Sequence, residues 1–157
     1  MKHVLYQKVP INHIRVLNHF LKQHKQNTAG RGDLNYWVKA HHEIIGCARL
    51  ISVEPDQTDT QNLWLRGVYV KPEARHQGIA SQLLKFMHQD LKHSLGSGYQ
   101  TQIECYAFPH SHLEGFYQAL GYSLCEHSAL PKSLKMSYQQ ALDHGKSWLS
   151  MSRSIVE

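Results

Sequence analysis

Apolar positions along the chain change period several times, and each change marks an element. Residues 3 to 9, His-Val-Leu-Tyr-Gln-Lys-Val, predict a short first strand that Pro10 ends. Ile14, Val16, Leu17, Phe20 and Leu21 recur at helical spacing, with Asn12 as N-cap, and predict a helix running to His24. Gln26 to Asp33 is polar, holds two glycines and reads as a loop. Leu34 to Ala40 alternates, His41-His42-Glu43 turns the chain, and Ile44 to Val53 supplies a more apolar return strand, so the segment is a hairpin.

Glu54 to Asn62 is an acidic surface connection, and Leu63 to Val70 is apolar and aromatic enough for a buried central strand. Past a turn, Ile79, Leu83, Leu84, Phe86, Met87 and Leu91 give the strongest helical face in the chain, and Gly96-Ser97-Gly98 ends it. Gln100 to Ala107 forms another strand, broken by Phe108-Pro109-His110. Leu113, Phe116, Tyr117 and Leu120 then mark a short helix closed by Gly121. Tyr122 to Glu126 reads as strand, Leu134 to Leu142 as a short helix, and Trp148 to Val156 as the last strand. The order β-α-β-β-β-α-β-α-β-α-β predicts an α/β (α+β) domain over residues 1–157, a mixed sheet flanked by helices with a parallel crossover at its centre.

Composition narrows the class of protein. No apolar run approaches the roughly 20 residues needed to cross a bilayer, and no export signal opens the chain, so the expectation is a soluble cytoplasmic protein with no membrane partner. Cys47, Cys105 and Cys125 lack C-x-x-C spacing and read as reduced core thiols. A net charge of +5 fits an anionic partner, but Lys and Arg are dispersed among 12 acidic residues and no nucleic-acid motif appears. Arg31-Gly32-Asp33 is a polar loop tripeptide. His41-His42 is a solvated turn. His110-Ser111-His112 has no third ligand at metal-site spacing, so no metal is expected.

The stretch with the clearest chemistry is the turn after the central strand, Lys71-Pro72-Glu73-Ala74-Arg75-His76-Gln77-Gly78-Ile79-Ala80. Pro72 ends the ladder, Gly78 gives the backbone close access, and the next helix opens with N–H groups that have no intrahelical partners. Together with the helix macrodipole, these suit a phosphate, flanked by the charges of Lys71 and Arg75. A P-loop is excluded, because no Lys-Ser/Thr pair ends the turn.

Arg75-x-x-Gly78-x-Ala80 after Val68-Tyr69-Val70-Lys71-Pro72, with Phe116-Tyr117-x-x-x-Gly121-Tyr122 further on, resembles the GNAT superfamily of acyl-CoA-dependent N-acetyltransferases. The resemblance runs from about Val4 to Ile155 and is strongest over 63–122. It implies acetyl-CoA (coenzyme A) as donor, with its pyrophosphate on backbone N–H groups of His76, Gln77, Gly78, Ile79, Ala80 and Ser81 beside Arg75. It also implies a pantetheine arm paired along Val68, Tyr69 and Val70. His76 stands where many relatives have glycine, so its side chain is expected to project outward. His110 stands where relatives often have an asparagine that touches the cofactor.

The same resemblance makes Tyr117 the group that returns a proton to the departing thiolate. A phenol of pKa about 10 suits a leaving thiol of about 8.5. Many relatives carry a carboxylate base on the central strand, but this chain has Arg66, Gly67 and Tyr69 there. Glu104 can reach the cleft by strand alternation and is the candidate base, with a solvated Glu104 and a water chain as the other readings. The implied function is acetyl transfer to a primary amine, on a small molecule or a peptide, by direct attack in a ternary complex. A non-catalytic acyl-CoA sensor is the second class. Walls for the acceptor are expected from the first helix with its loop to Asp33, and from Ser128 to Gly145. Asp33, Glu54, Glu104 and Glu126 are candidates to hold the amine. The family often forms dimers, and the sequence leaves a homodimer open.

Overall fold

The computed structural model describes residues 3–30, 32–55, 59–97 and 100–156. Arg31 of the polar loop, positions 56–58 of the acidic connection and Gly98 lie outside the described residues. The elements come in the expected order: β1 (Val4–Lys8), α1 (Ile14–Gln23), β2 (Leu34–Ala40), β3 (Glu43–Val53), β4 (Thr60–Val70), α2 (Ile79–Ser94), β5 (Gln102–Ala107), α3 (Glu114–Ala119), β6 (Ser123–Leu124), α4 (Lys132–Asp143) and β7 (Met151–Val156). The strands form one seven-stranded mixed sheet in the order β1-β2-β3-β4-β5-β7-β6, flanked by helices. Two compact units share it: the chain up to Ile51 with Arg66–Gln89, and Ser52–Leu65 with the chain from Asp90 onward.

In the first unit β1 runs antiparallel to β2, Val4 opposite Ala40, and β2 antiparallel to β3, Leu34 opposite Leu50. The hairpin closes on His41 and His42 alone, at φ 53° and 69°. Two central residues at positive φ match the twist of the flanking strands, and histidine visits that region more readily than bulkier residues. A 3-10 turn, Ile11–His13, leads into α1, which moves the N-cap from Asn12 to His13, and no side chain caps there. Leu17, Phe20 and Leu21 form the buried stripe of α1 and cluster with Val9, Trp37 and Cys47. Val16, grouped with that stripe by sequence, is 50% exposed because one residue is about 100° around a helix from the next.

In the second unit β4 starts at Thr60, earlier than its apolar run. Its partner there is β5, parallel, from Thr60 opposite Gln102 to Trp64 opposite Tyr106. Asn62 thus lies within the strand rather than on a surface connection, buried at 2%, with its Nδ2 donating to the Glu54 carbonyl at 3.1 Å. β5 runs antiparallel to β7, and β7 to the two-residue β6. Three predicted strands are therefore trimmed: β5 begins at Gln102, β6 covers only Ser123–Leu124, and β7 begins at Met151, with Trp148 left in an isolated bridge to His110. Tyr106, Leu130 and Leu134 form this unit's buried cluster, with Trp64, Phe108 and Tyr138 packed on it.

Glu54, one of the acids put forward to hold an amine, has a structural task in this unit. Its Oε1 accepts from the Ser133 N–H at 2.6 Å and its Oε2 from the Ser133 hydroxyl at 2.7 Å, at the start of α4. The donors at a helix N-terminus favour the ionised carboxylate, and these two bonds hold Glu54 below the usual carboxylate range.

Candidate functional site

The turn after β4 is built by backbone features that the sequence dictates. The Lys71 N–H donates to Ile45 O at 2.8 Å, the last bond before Pro72 removes a donor and a 3-10 turn, Pro72–Ala74, takes over. Ala74 is fully buried and pins that turn. His76 and Gly78 are both left-handed, at φ 63° and 77°. His76 is exposed, as its expected outward side chain requires. A Cβ at Gly78 would meet nothing within 4 Å, so the glycine serves its backbone angle and leaves the approach open.

α2 begins at once, with the Gln82 N–H donating to Gly78 O at 3.0 Å. The N–H groups of Ile79, Ala80 and Ser81 come before the first intrahelical donor, and no acidic residue lies in this first turn of a 16-residue helix. The macrodipole there favours an anion, and the first turn itself supplies none. Such a helix start can take a phosphate group.

The two charges expected to flank the anion are partly engaged. Arg75 turns back on the strand: its Nε donates to Val70 O at 2.7 Å, and its guanidinium carbon lies 5.5 Å from the Tyr69 ring centroid. Arg75 as a whole remains exposed. Lys71 Nζ lies 3.3 Å from Glu73 and 4.0 Å from Glu43, so its charge is offset. Tyr69 sets its ring among Phe20 and His24 of the α1 end, with its hydroxyl 3.2 Å from His24 Nδ1. Val68 and Val70 complete the segment given to pantetheine, and Val70 is buried.

Further back along β4 a strand residue leaves the β region: Gly67 has φ 64°. Arg49 of β3 lies across it, with Nη1 2.6 Å from where a Cβ would stand. Arg49 is itself buried, and its Nη1 donates to Asn27 O at 3.3 Å. Leu21, Gln26, Asn27, Arg49, Arg66 and Gly67 line a cavity of about 70 Å³. Neither Arg49 nor the cavity was found from sequence. The only signal was a glycine inside a strand pattern, which marks a bulge or a close approach without naming the approaching group.

In the second unit Tyr117 sits on α3, 7% exposed, its ring perpendicular to that of Tyr122 at 5.5 Å and beside Phe116 at 5.2 Å. Among the described residues none hydrogen-bonds its hydroxyl, and burial pushes its pKa up to about 12. Glu104, on β5, directs Oε2 at the Ser154 hydroxyl across the ladder, 2.5 Å away, and accepts from Gln102 Nε2 at 3.3 Å. His110 is exposed, in extended backbone just before the 3-10 turn that opens α3, its ring stacked 5.8 Å from His112. No group of three metal-ligating side chains occurs among the described residues, and no helix described is long and apolar enough to cross a membrane.

A family model described as the acetyltransferase (GNAT) domain matches residues 32–124. The chain belongs to the GNAT acetyltransferase family. No curated protein matches it in sequence. Among solved structures it resembles N-acetylglutamate synthase from Neisseria gonorrhoeae, solved with coenzyme A and N-acetyl-glutamate, at 16% identity and a TM-score of 0.62. That match covers 100% of this chain and 36% of the synthase, so the chain spans about a third of that protein's length. Arabidopsis thaliana Naa50, solved with the bisubstrate analogue CoA-Ac-MVNAL, matches at 11% identity and a TM-score of 0.64, covering 96% of this chain and 98% of its own. The ribosomal-protein-S18-alanine N-acetyltransferase from Escherichia coli matches at 13% identity and a TM-score of 0.60, covering 98% and 95%. At these identities the likeness is one of fold.

Proposed function

We propose that the protein is an N-acetyltransferase that uses acetyl-CoA to acetylate a primary amine by direct attack in a ternary complex. The observation that carries this reading is the N-terminus of α2, open to an anion and entered through a turn with two left-handed residues. Family membership and the coenzyme A in two of the similar structures support the same donor.

Bound acetyl-CoA supplies a thioester, whose acetyl carbon takes the amine nitrogen as the C–S bond breaks and a thiol departs. The chain's residues bind, position and polarise. N–H groups from His76 to Ser81 hold the pyrophosphate, Arg75 adds charge, and the backbone of Val68 to Val70 aligns the arm. His110 adds a polar contact to the donor.

Tyr117 serves the departing sulfur as a hydrogen-bond donor. With its pKa pushed up to about 12, the phenol is neutral throughout the working range and is no base. Full proton transfer to a thiolate of pKa about 8.5 would run uphill by about 3.5 units, roughly 5 kcal/mol, so the proton on the released thiol comes from solvent. That refines the acid role expected from sequence. Glu104 takes the amine's proton on Oε1, since Oε2 already accepts from Ser154 and Gln102.

The test is calorimetric titration with acetyl-CoA, together with thiol release across free amino acids, polyamines, aminoglycosides and peptide N-termini. Saturable binding and turnover with at least one amine are expected. Absence of acetyl-CoA binding refutes the donor assignment, and binding without turnover on any amine refutes the catalytic one.

A further inference from the structure

The hairpin end of the first unit carries a second concave site. Leu5 of β1 stands opposite Lys39 of β2, and since alternate strand residues share a face, His3 and His41 lie on the same side as this pair. Further along that face Trp37 is buried, with the His13 ring stacked on it at 6.1 Å. Past Trp37 the face opens: His3, Leu5, Lys39, His41 and His42 line a cavity of about 360 Å³. That is at the lower end of the roughly 300–1,000 Å³ of small-molecule sites.

The lining is rich in hydrogen-bond donors. Lys39 Nζ stands 4.2 Å over the Trp37 ring, a contact that places the ammonium without neutralising it. The His3 and His41 rings lie 6.3 Å apart. A neutral imidazole donates one N–H and a protonated one donates two. No acidic side chain lines the cavity. Glu43, which follows the turn, is 79% exposed and has its Oε2 4.0 Å from Lys71 Nζ.

Backbone conformation points the same way. Five non-glycine residues among those described have positive φ, and three of them, His3, His41 and His42, line this one cavity, at 63°, 53° and 69°. Asn-Gly forms a two-residue turn of this kind more readily, so the imidazoles stand where smaller residues would strain the backbone less.

The donor set says what can bind. A phosphate presents oxygens on several sides and is met by donors from β2, from the turn and from the residue before β1, with lysine as a point charge. A carboxylate presents two oxygens in one plane. The imidazoles do not make a metal site, since no group of three ligating side chains occurs among the described residues. Leu5, 52% exposed, offers an apolar surface to an organic remainder.

We infer that this cavity binds a phosphate monoester of a small organic molecule, with Lys39, His3, His41 and His42 around the phosphate and Leu5 against the rest. The site is separate from the donor turn and does not depend on the acetyltransferase reading.

The test titrates glycerol phosphate into the full chain, with potassium chloride at matched ionic strength as control, in the absence of coenzyme A and at its saturation. Nuclear magnetic resonance follows the His3, His41 and His42 imidazoles and the Lys39 ammonium. Saturable shifts beyond those of chloride are expected, and coenzyme A should leave them unchanged. His41→Asn combined with His42→Gly supplies the pair such turns prefer, so the fold is kept, and affinity should fall by about fivefold or more. Lys39→Gln, away from the turn, should weaken binding by about threefold or more. Shifts no larger than those with chloride, or unchanged affinity in either variant, overturn the assignment. Loss of the response at saturating coenzyme A overturns it too, because the cavity is then part of the donor's own site. If coenzyme A does not bind, the donor reading fails and the titration without it decides this one.

Discussion

Removing the Tyr117 hydroxyl separates catalysis from folding unusually cleanly. Among the described residues nothing hydrogen-bonds that oxygen, so Tyr117→Phe leaves no buried group orphaned and keeps the perpendicular contact with Tyr122. The stability cost is expected to stay below about 1 kcal/mol. What is lost is one hydrogen bond to charge developing on sulfur. Bonds to charged groups contribute about 1.5–3 kcal/mol, so kcat should fall by about tenfold to about 150-fold. Thiol release at saturating acetyl-CoA and acceptor measures kcat, calorimetry the donor affinity, and urea titration the stability. Donor affinity should be unchanged, because the pyrophosphate turn is a separate stretch of chain. Since burial pushes the phenol up to about 12, the wild type should show no loss of kcat from tyrosine ionisation below about pH 10. Wild-type kcat in Tyr117→Phe refutes the role, and an alkaline limb near pH 8–9 that disappears in the variant refutes the neutral-donor form of it.

Three further outcomes are expected from the same structure. Gly67→Ala forces a side chain into left-handed backbone and within 2.6 Å of Arg49 Nη1; a loss of about 1–3 kcal/mol in urea unfolding is expected, and an unchanged midpoint would show that the kink relaxes freely. Burial pushes the Cys47 and Cys105 thiols from 9.0 up to about 12. Between those values the unfolded chain has released protons that the folded chain keeps, so stability is full below about pH 9 and falls by up to about 1.4 kcal/mol per thiol per pH unit above it. Denaturation midpoints that stay flat from about pH 8 to about pH 11 would contradict it. Glu54→Gln weakens the cap on α4 and should cost about 1 kcal/mol or less at neutral pH. The folded pKa of Glu54 is lowered, so the wild-type advantage is present above the ordinary carboxylate value and fades as pH falls through the folded one.

How far the sequence reaches depends on what sets each feature. The α-helices and strands described were legible in type and order, and the 3-10 turns were not, because one-sided burial writes a period into the longer elements, as in Leu17, Phe20 and Leu21. Boundaries were less legible where hydrogen bonding rather than burial decides. Thr60 and Gln61 belong to β4 because β5 pairs with them, and their polarity hides it. Asn12 satisfied the N-cap pattern, yet a preceding 3-10 turn placed the cap at His13. The turn from β4 into α2 could be read locally, since Pro72, Gly78 and the α2 pattern are consecutive. The cavity could not, because Asn27, Arg49 and Arg66 come from three segments that only the sheet brings together.

Gly67 joins two structural tasks in one backbone feature. A strand residue at φ 64° breaks the alternation that would otherwise continue through β4, and so re-aims the side chains on its N-terminal side relative to those on its C-terminal side. Before it, Arg66 lines the cavity with Arg49; after it, Val68 to Val70 run to the turn where α2 begins. The same missing Cβ that permits the kink makes room for the Arg49 guanidinium.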